Sequence, residues 1–474
     1  MEEKATCVAI VPSPGYTHLV PLVEFTKRLT SLHIGIHFKF IIPTLGPPTD
    51  SMITILNSLQ NSNLSPTTFT FLPQISIEDL PQDASTAALM QLTVSHSLAS
   101  FKKTLTLELC SKKVVAVVAD YFAVETLSVA KEFSILSYIY YPGNALSLSL
   151  FFHLPYLDKT TSCEFKDLKE PIKMPGCIPI HGCDFPSTVQ NRSSIVYKSF
   201  IYVCKMLHLA DGIILNAFTN LEADTIKSMQ KKEAKLPPIY PIGPIIQTDS
   251  TIKVKESEFL MDWLDNQSCK SVLYVSFGSG GTLNQEQICE LALGLELSGV
   301  KFLWVVRAPN KSPNAAYLKE MMKNNEKLNF LPRGFLERTK GNGLVVSSWV
   351  PQIEILSHES IGGFLTHCGW NSTLESIVNG VPLIVWPLFA EQRVNSLMLC
   401  EDLKVALRPK VVEGNKGMVR REEIAQVVRS VIIQDKRGKE IRRRLEEIKI
   451  GAMGAMKEST RIITQLVLMW KKFR

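Results

Sequence analysis

The sequence predicts an α/β protein with two doubly wound, Rossmann-like parallel sheets facing a central cleft. Apolar strand-like runs alternate with stretches of helical periodicity along both halves of the chain. The runs are nearly continuous in Val, Ile and Leu, as in strands covered on both faces. The alternation stops once, in a proline-rich segment near the middle, and then restarts. At 474 residues the chain exceeds one ordinary core and suits two domains of roughly 200–250 residues each.

The elements follow in order. "CVAIVP" (Cys7–Pro12) reads as the first strand, broken by "SPGYT". From His18 to Leu32, the residues Leu22, Phe25, Leu29 and Leu32 recur at helical spacing. "KVVAVVAD" (Lys113–Asp120) is a β-branched run, followed by a helix over Val124–Phe133 and a strand "GIILNAF" (Gly212–Phe218). "LPPIYPIGPII" (Leu236–Ile246) holds four prolines and, with the following "QTDSTIKVKESE", reads as a semi-rigid linker. The second half offers strands at Ser271–Phe277, Lys301–Arg307, Gly343–Trp349, Ile361–Thr366 and Pro382–Pro387, with a helix at Gln285–Leu297 begun by Asn284. Asn310–Asn329 is polar and weakly patterned, a surface insertion. The expected division is a first domain over 1–240, a linker over 241–260 and a second domain over 261–455. A C-terminal helix over 456–474 is expected to pack back on the first domain.

Composition narrows the class. Hydrophobic content of 45% with 20% charged residues is that of a globular chain. The net charge of +7 is modest, and the densest basic run, Lys436–Ile450, also holds Glu440, Glu446 and Glu447. It reads as a solvated helix face, not a nucleic-acid site. No signal peptide opens the chain, and no apolar stretch reaches roughly 18 residues, so no membrane span is expected. The ten cysteines are scattered without a C-x-x-C pair or zinc spacing. That points to free thiols in a reducing cytoplasm and to no metal site. The sequons at Asn191, Asn266 and Asn371 are then chance matches.

Two strand-to-helix turns carry the chemistry. "IGGFLT" ends at Thr366, His367–Trp370 form a loop, and Asn371–Ser372 open a helix that stops at Gly380. A helix start presents unpaired N–H groups and a positive dipole end. With His367, Asn371 and Ser372 as donors it makes a cradle for a diphosphate. Ser372 with Glu375 also reads as a capping box that needs no ligand, and local pattern leaves both readings open. The second turn, "SFGSGGTLNQEQ" (Ser276–Gln287), is glycine-rich, so backbone can approach a phosphate closely. It is neither a P-loop nor G-x-G-x-x-G, since Leu283 stands at the third glycine's place. Two such turns in one domain point to a nucleotide diphosphate. Without a D-x-D pair nearby, a helix dipole and neutral donors would stabilise it.

Trp349–Gln392, "WVPQIEILSHESIGGFLTHCGWNSTLESIVNGVPLIVWPLFAEQ", resembles the signature box of plant family 1 (secondary-product) UDP-glycosyltransferases. W-x-P-Q opens it, H-C-G-W-N-S lies in the middle and E-Q closes it. The resemblance extends through "PSPGYTHLVPLVEF", "YPIGPI", "VSFGSGGTL", "GFLERT" and "MVRREEI". It is greatest to the hydroquinone (arbutin-forming) and phenylpropanoid glucosyltransferase branch. It implies a GT-B fold, an acceptor-binding N-terminal domain and a UDP-sugar-binding C-terminal domain. It also implies that Trp349 stacks on uracil, Val350 and Gln352 contact its edge, and Glu375 binds the ribose hydroxyls. Ser279, His367, Gly369, Asn371 and Ser372 would surround the diphosphate, and Trp370, Glu391 and Gln392 would meet the hexose. The closing glutamine implies UDP-glucose as donor substrate, with no cofactor. A monomer is expected.

The same resemblance assigns a His–Asp pair. His18 follows a strand and a Pro-Gly turn at a helix start, where the dipole keeps the ring neutral. Asp120 ends "KVVAVVAD" at the same sheet edge and would stabilise the charged ring formed during proton removal. Tyr121, Phe122, Phe151 and Phe152 are aromatic candidates for the acceptor pocket, since flat phenols pack on aromatic faces. His153, His181, His208 and His358 are read as structural. Thr17 departs from the family's glycine before the base. Gly143 and Asn144 depart from its frequent Ser or Thr. The expected reaction is inverting transfer of glucose to a small phenolic such as hydroquinone, a monolignol or a flavonoid. The rivals are an NAD(P)-dependent oxidoreductase, which would want G-x-G-x-x-G after a first strand, and a non-catalytic binding protein on the same scaffold.

Overall fold

The computed structural model describes residues 5–32, 35–61, 66–81, 84–248, 255–314, 328–411 and 417–473. The chain divides into two compact units, Met1–Thr251 with Gly454–Arg474, and Ile252–Met453.

Among the described residues, the first unit builds a seven-stranded parallel sheet. Its strands are β1 (Thr6–Val11), β2 (His37–Ile42), β3 (Thr67–Phe71), β4 (Lys113–Asp120), β5 (Leu136–Tyr141), β6 (Gly212–Leu215) and β7 (Ile239–Pro241). They lie in the order β3-β2-β1-β4-β5-β6-β7. The winding therefore reverses between β1 and β4, which leaves a crevice beyond their carboxyl ends. Val11 pairs with Ala119, so the chain leaves both strands at one level. Val8, Ile10, Val115 and Val118 of these strands pack with Leu22 and Phe25 from the helix Tyr16–Thr30 in a closed core. That helix and β4 fall where the apolar spacing puts them. β2, β3 and β5 add to the strands read from sequence; they mix Lys39, Thr68 or tyrosines into their apolar runs.

The proline-rich stretch expected as linker belongs to this unit instead, as far as Thr248. Ile239–Pro241 is the edge strand, the position that tolerates a missing N–H. Ile242 and Ile245 are buried beneath it. Asn216 clamps Ile245 in both directions, Oδ1 accepting its N–H at 2.8 Å and Nδ2 donating to its carbonyl at 2.9 Å. Residues 249–254 lie outside the described residues, as do 315–327 of the expected surface insertion.

The second unit repeats the plan with β8 (Val272–Ser276), β9 (Lys301–Val305), β10 (Gly343–Val346), β11 (Ile361–Thr366), β12 (Leu383–Val385) and β13 (Ala406–Leu407). All are parallel, in the order β10-β9-β8-β11-β12-β13. The winding reverses between β8 and β11, where Ser276 pairs with Thr366. Leu273, Val275, Trp304, Leu365 and Ile384 pack with Leu291 and Phe335 in its core.

One long helix, Lys436–Lys472, ends the fold. Its basic start is solvated as expected: Arg443 pairs with Glu440 and Glu447, and Arg444 with Glu440. From Gly454 the helix belongs to the first unit. There Ile463, Leu466 and Trp470 are fully buried, and Trp470 meets Tyr138 edge-on with centroids 5.7 Å apart. Among the described residues no helix is long and apolar enough to cross a membrane. Trp470→Ala is expected to lower the unfolding free energy of the first unit by about 3–5 kcal/mol, read as an earlier urea midpoint.

Candidate functional site

In the first unit the site starts at the β1/β4 reversal. Gly15 leaves β1's turn at φ 110°, a region that favours glycine, and stands at the N-cap of the helix Tyr16–Thr30. His18 is thereby placed in the first helical turn, 7% exposed, with Nδ1 3.1 Å from Asp120 Oδ2. Asp120 is fully buried. Its Oδ1 accepts from the Ser13 hydroxyl and from the Phe122 N–H, the latter at 3.2 Å. As the acceptor, Asp120 places the ring proton on Nδ1 and leaves the lone pair on Nε2.

Aromatic rings adjoin the imidazole. Tyr121 and Phe122 stand 6.0 and 5.7 Å from it, centroid to centroid, and 4.1 Å from each other. Tyr121 reaches Phe151 at 6.5 Å and Tyr141 at 5.4 Å. Phe152 does not join them; its ring packs on His208 at 4.9 Å. Neighbouring residues on a helix point about 100° apart, so Phe151 and Phe152 cannot share a face.

In the second unit the two glycine-bearing turns meet at the β8/β11 reversal. A Cβ on Gly278 would stand 2.5 Å from His367 Cε1, and one on Gly369 would stand 2.5 Å from its Nε2. The ring of His367 thus fits only because both neighbours lack side chains. Ser279 follows Gly278 and is half-buried. Gly369 is the N-cap of the helix Trp370–Asn379, which has no side-chain cap and no acidic residue in its first turn. The helix Gln285–Ser298, by contrast, is closed by the Asn284 side chain. The first N–H groups of the helix Trp370–Asn379 are thus open to an anion. Among the described residues, His367 Nδ1 and Asn371 Oδ1 are buried without a hydrogen-bond partner.

The alternative of a capping box is not formed. Ser372 is the third residue of the helix, not its cap, and its Oγ accepts from Gln352 Nε2 at 2.8 Å. Glu375 Oε2 accepts from the same amide at 2.7 Å, while Gln352 Oε1 accepts from the Tyr274 hydroxyl at 3.2 Å. Trp349 is half-buried and Val350 buried, directly before Pro351 and Gln352. Trp370 is buried. Asn395 Nδ2 ties the Cys368 carbonyl at 2.8 Å to Glu391 Oε1 at 3.4 Å. Gln392 Oε1 accepts from the Leu388 and Phe389 amides at 2.8 and 3.0 Å.

Burial sets the charge of this cradle. It lowers His367 to about 4, so the ring is neutral at pH 7. It raises Glu375 to about 7, against the opposing pull of the Gln352 amide. The turn therefore offers helix N–H groups and an uncharged His367 ring.

The family described as UDP-glucoronosyl and UDP-glucosyl transferase matches residues 79–449 of the chain. The chain is a UDP-glycosyltransferase. It is 47% identical over 468 residues to a hydroquinone glucosyltransferase of Rauvolfia serpentina, covering 98% of this transferase and 97% of the relative. It is 38% identical over 458 residues to an anthocyanidin 3-O-glucosyltransferase of Manihot esculenta, covering 95% and 92%. A Polygonum tinctorium UDP-glucosyltransferase capable of glucosylating indoxyl, solved with 3,4-dichloroaniline, superposes with a TM-score of 0.89 at 43% identity over all of both chains. The UGT2 of Phytolacca americana, complexed with UDP-2-fluoro-glucose and pterostilbene, does so with a TM-score of 0.88 at 43% identity, over 99% of this chain and 100% of that one. The transferase accordingly has the GT-B fold.

Several of its site neighbours carry no signal in the sequence. Ser13, Tyr274 and Asn395 act through tertiary hydrogen bonds that no spacing announces. The three departures have local explanations. Thr17 sits in the first helical turn, and Gly15 alone takes the positive φ there. Asn144 is fully buried and caps the helix Ala145–Thr160 through Ser147 N–H at 2.7 Å. The next two amides, Ala145 and Leu146, donate to the Glu222 carboxylate at 2.9 and 2.8 Å. At Gly143 the space of a side chain is taken by the ring of Tyr141.

Glu375 gives a pH test. Its folded value of about 7 lies above the ordinary 4.5. Between those two values the folded chain keeps a proton that the unfolded chain has released. Stability of the ligand-free transferase therefore falls as pH rises through that window, by about 3 kcal/mol. Glu375→Gln is expected to flatten the fall, measured by urea midpoints at about pH 5 and about pH 7.5.

Proposed function

We propose that this transferase moves glucose from UDP-glucose to the hydroxyl of a small phenolic, with inversion at C1, using His18 as general base and Asp120 to orient it. The observation that carries the reading is the hydrogen bond from His18 Nδ1 to Asp120 Oδ2 at 3.1 Å, with Tyr121 and Phe122 flanking the ring. The fixed Nδ1–H leaves Nε2 to take the phenol proton as the oxygen attacks C1. Asp120 offsets the charge that then develops on the ring. Phenolic and glucose chemistry is supported by the relative named for hydroquinone and by the fluoro-glucose complex. The flat ring of a phenol suits the aromatic side chains of the first unit.

The second unit supplies the donor site in this reading. Trp349 stacks on uracil, Val350 and Gln352 meet its edge, and Glu375 accepts from the ribose hydroxyls. The start of the helix Trp370–Asn379, with Ser279, His367, Gly369, Asn371 and Ser372, stabilises the departing diphosphate. Trp370 and Glu391 hold the hexose together with Gln392, whose Nε2 remains after Oε1 has bound two backbone amides. UDP leaves from the face opposite the attack, so the α-linked donor yields a β-glucoside.

His18→Ala is expected to lower kcat with hydroquinone about 10²–10⁴-fold while UDP still raises the melting temperature as in the parent. Wild-type turnover in that variant sinks the base assignment. A panel of phenols with UDP-glucose, read by product mass, tests the acceptor class. Stabilisation by UDP without release of UDP by any phenol would leave a binding protein instead.

A further inference from the structure

Gly143 lies between β5 and the helix Ala145–Thr160, and the space its side chain would need is filled by a ring. A Cβ there would stand 2.6 Å from Tyr141 Cε1, 3.0 Å from Cζ and 3.1 Å from the hydroxyl oxygen. Carbon atoms do not approach so closely without movement. Tyr141 has little room to move, being 2% exposed. Its hydroxyl lies 2.8 Å from Ser147 Oγ, and that Oγ donates its one proton to the Asn144 carbonyl at 3.0 Å. Tyr141 is therefore the donor of the pair. Its ring also meets Tyr121 at 5.4 Å and 65°, and Phe151 at 5.8 Å and 89°. Both are edge-to-face geometries, which fix orientation as well as distance. Tyr121 is the half-buried ring that follows Asp120 and stands 6.0 Å from His18.

We propose that Gly143 and Tyr141 form a specificity-determining pair for the acceptor. The glycine makes room for the Tyr141 ring, and that ring holds Tyr121 at the angle on which a flat phenol rests beside His18. Both act as positioning residues through Tyr121. The inference rests on the function proposed above. Any side chain at 143 turns Tyr141 away from Ser147, and Tyr121 loses its edge contact. The acceptor feels that loss and the donor does not.

The test uses the full chain with hydroquinone and UDP-glucose, measuring phenol binding by calorimetry separately from turnover. Gly143→Ala and Tyr141→Leu are each expected to raise the hydroquinone Kd and KM about 3- to 10-fold, with the UDP-glucose KM unchanged. In the Tyr141→Leu background, adding Gly143→Ala is expected to change nothing further, because its clash partner is gone. A merely structural role would lower the melting temperature and kcat while leaving both KM values in place, and that result overturns the proposal. So does a donor KM that moves with the acceptor KM. Should Gly143→Ala fail to fold, Tyr141→Leu decides alone. A wild-type chain that binds hydroquinone but never glucosylates a phenol sinks the proposed function, while a Kd change in the variants still supports the pair. A wild-type chain that binds no hydroquinone overturns it.

Discussion

The carboxylate of Asp120 is fully buried and takes donors from three separate pieces of chain. They are the Ser13 hydroxyl beyond β1, the His18 ring in the helix that follows, and the Phe122 amide beyond β4. A buried carboxylate is costly unless its oxygens are matched, and removing one partner of a buried pair typically costs about 3–5 kcal/mol. That penalty holds all three pieces in one arrangement. The topology makes the arrangement reachable, since β1 and β4 are neighbours in register and their ends open at the winding reversal. The tautomer of His18 and the placement of Tyr121 and Phe122 beside it both follow from this single side chain.

The second unit solves the opposite problem at the equivalent reversal. Where the first unit closes its turn with a carboxylate, the β8/β11 turns are left open. Gly278 and Gly369 yield their space to the His367 ring, and the helix Trp370–Asn379 begins with no cap of its own. Gln352 bridges Ser372 and Glu375 and so joins the helix Gln352–Ser357 to the same helix start. Burial keeps His367 neutral. The result is a rigid set of dipoles suited to charge that arrives and departs with a substrate.

Much of this was legible in the sequence because the second unit's box is local. Its turn residues, helix start and closing glutamine all fall within Trp349–Gln392, so their order along the chain already approximates their order in space. Whether Ser372 and Glu375 form a capping box is not local. It depends on the helix starting at Trp370, which puts Ser372 inside the helix, with Glu375 bonded to Gln352. β7 is hidden because its prolines imitate a linker, and its pairing with β6 and the burial of Ile242 and Ile245 show otherwise. Phe151 and Phe152 were inseparable in sequence because helical phase relative to the sheet is a tertiary property. Ser13 and the fit of Gly143 to Tyr141 are invisible for the same reason.

Glu222 lies far from Ala145 in sequence, yet both its oxygens accept the first amides of the helix Ala145–Thr160. The chain thereby places a carboxyl group at a strand-to-helix junction of its first half. An anion arriving there would find these amides already bonded. Two halves with matching windings thus differ at such a junction, one helix start closed by a distant carboxylate and the other, at Trp370, left without a side-chain cap.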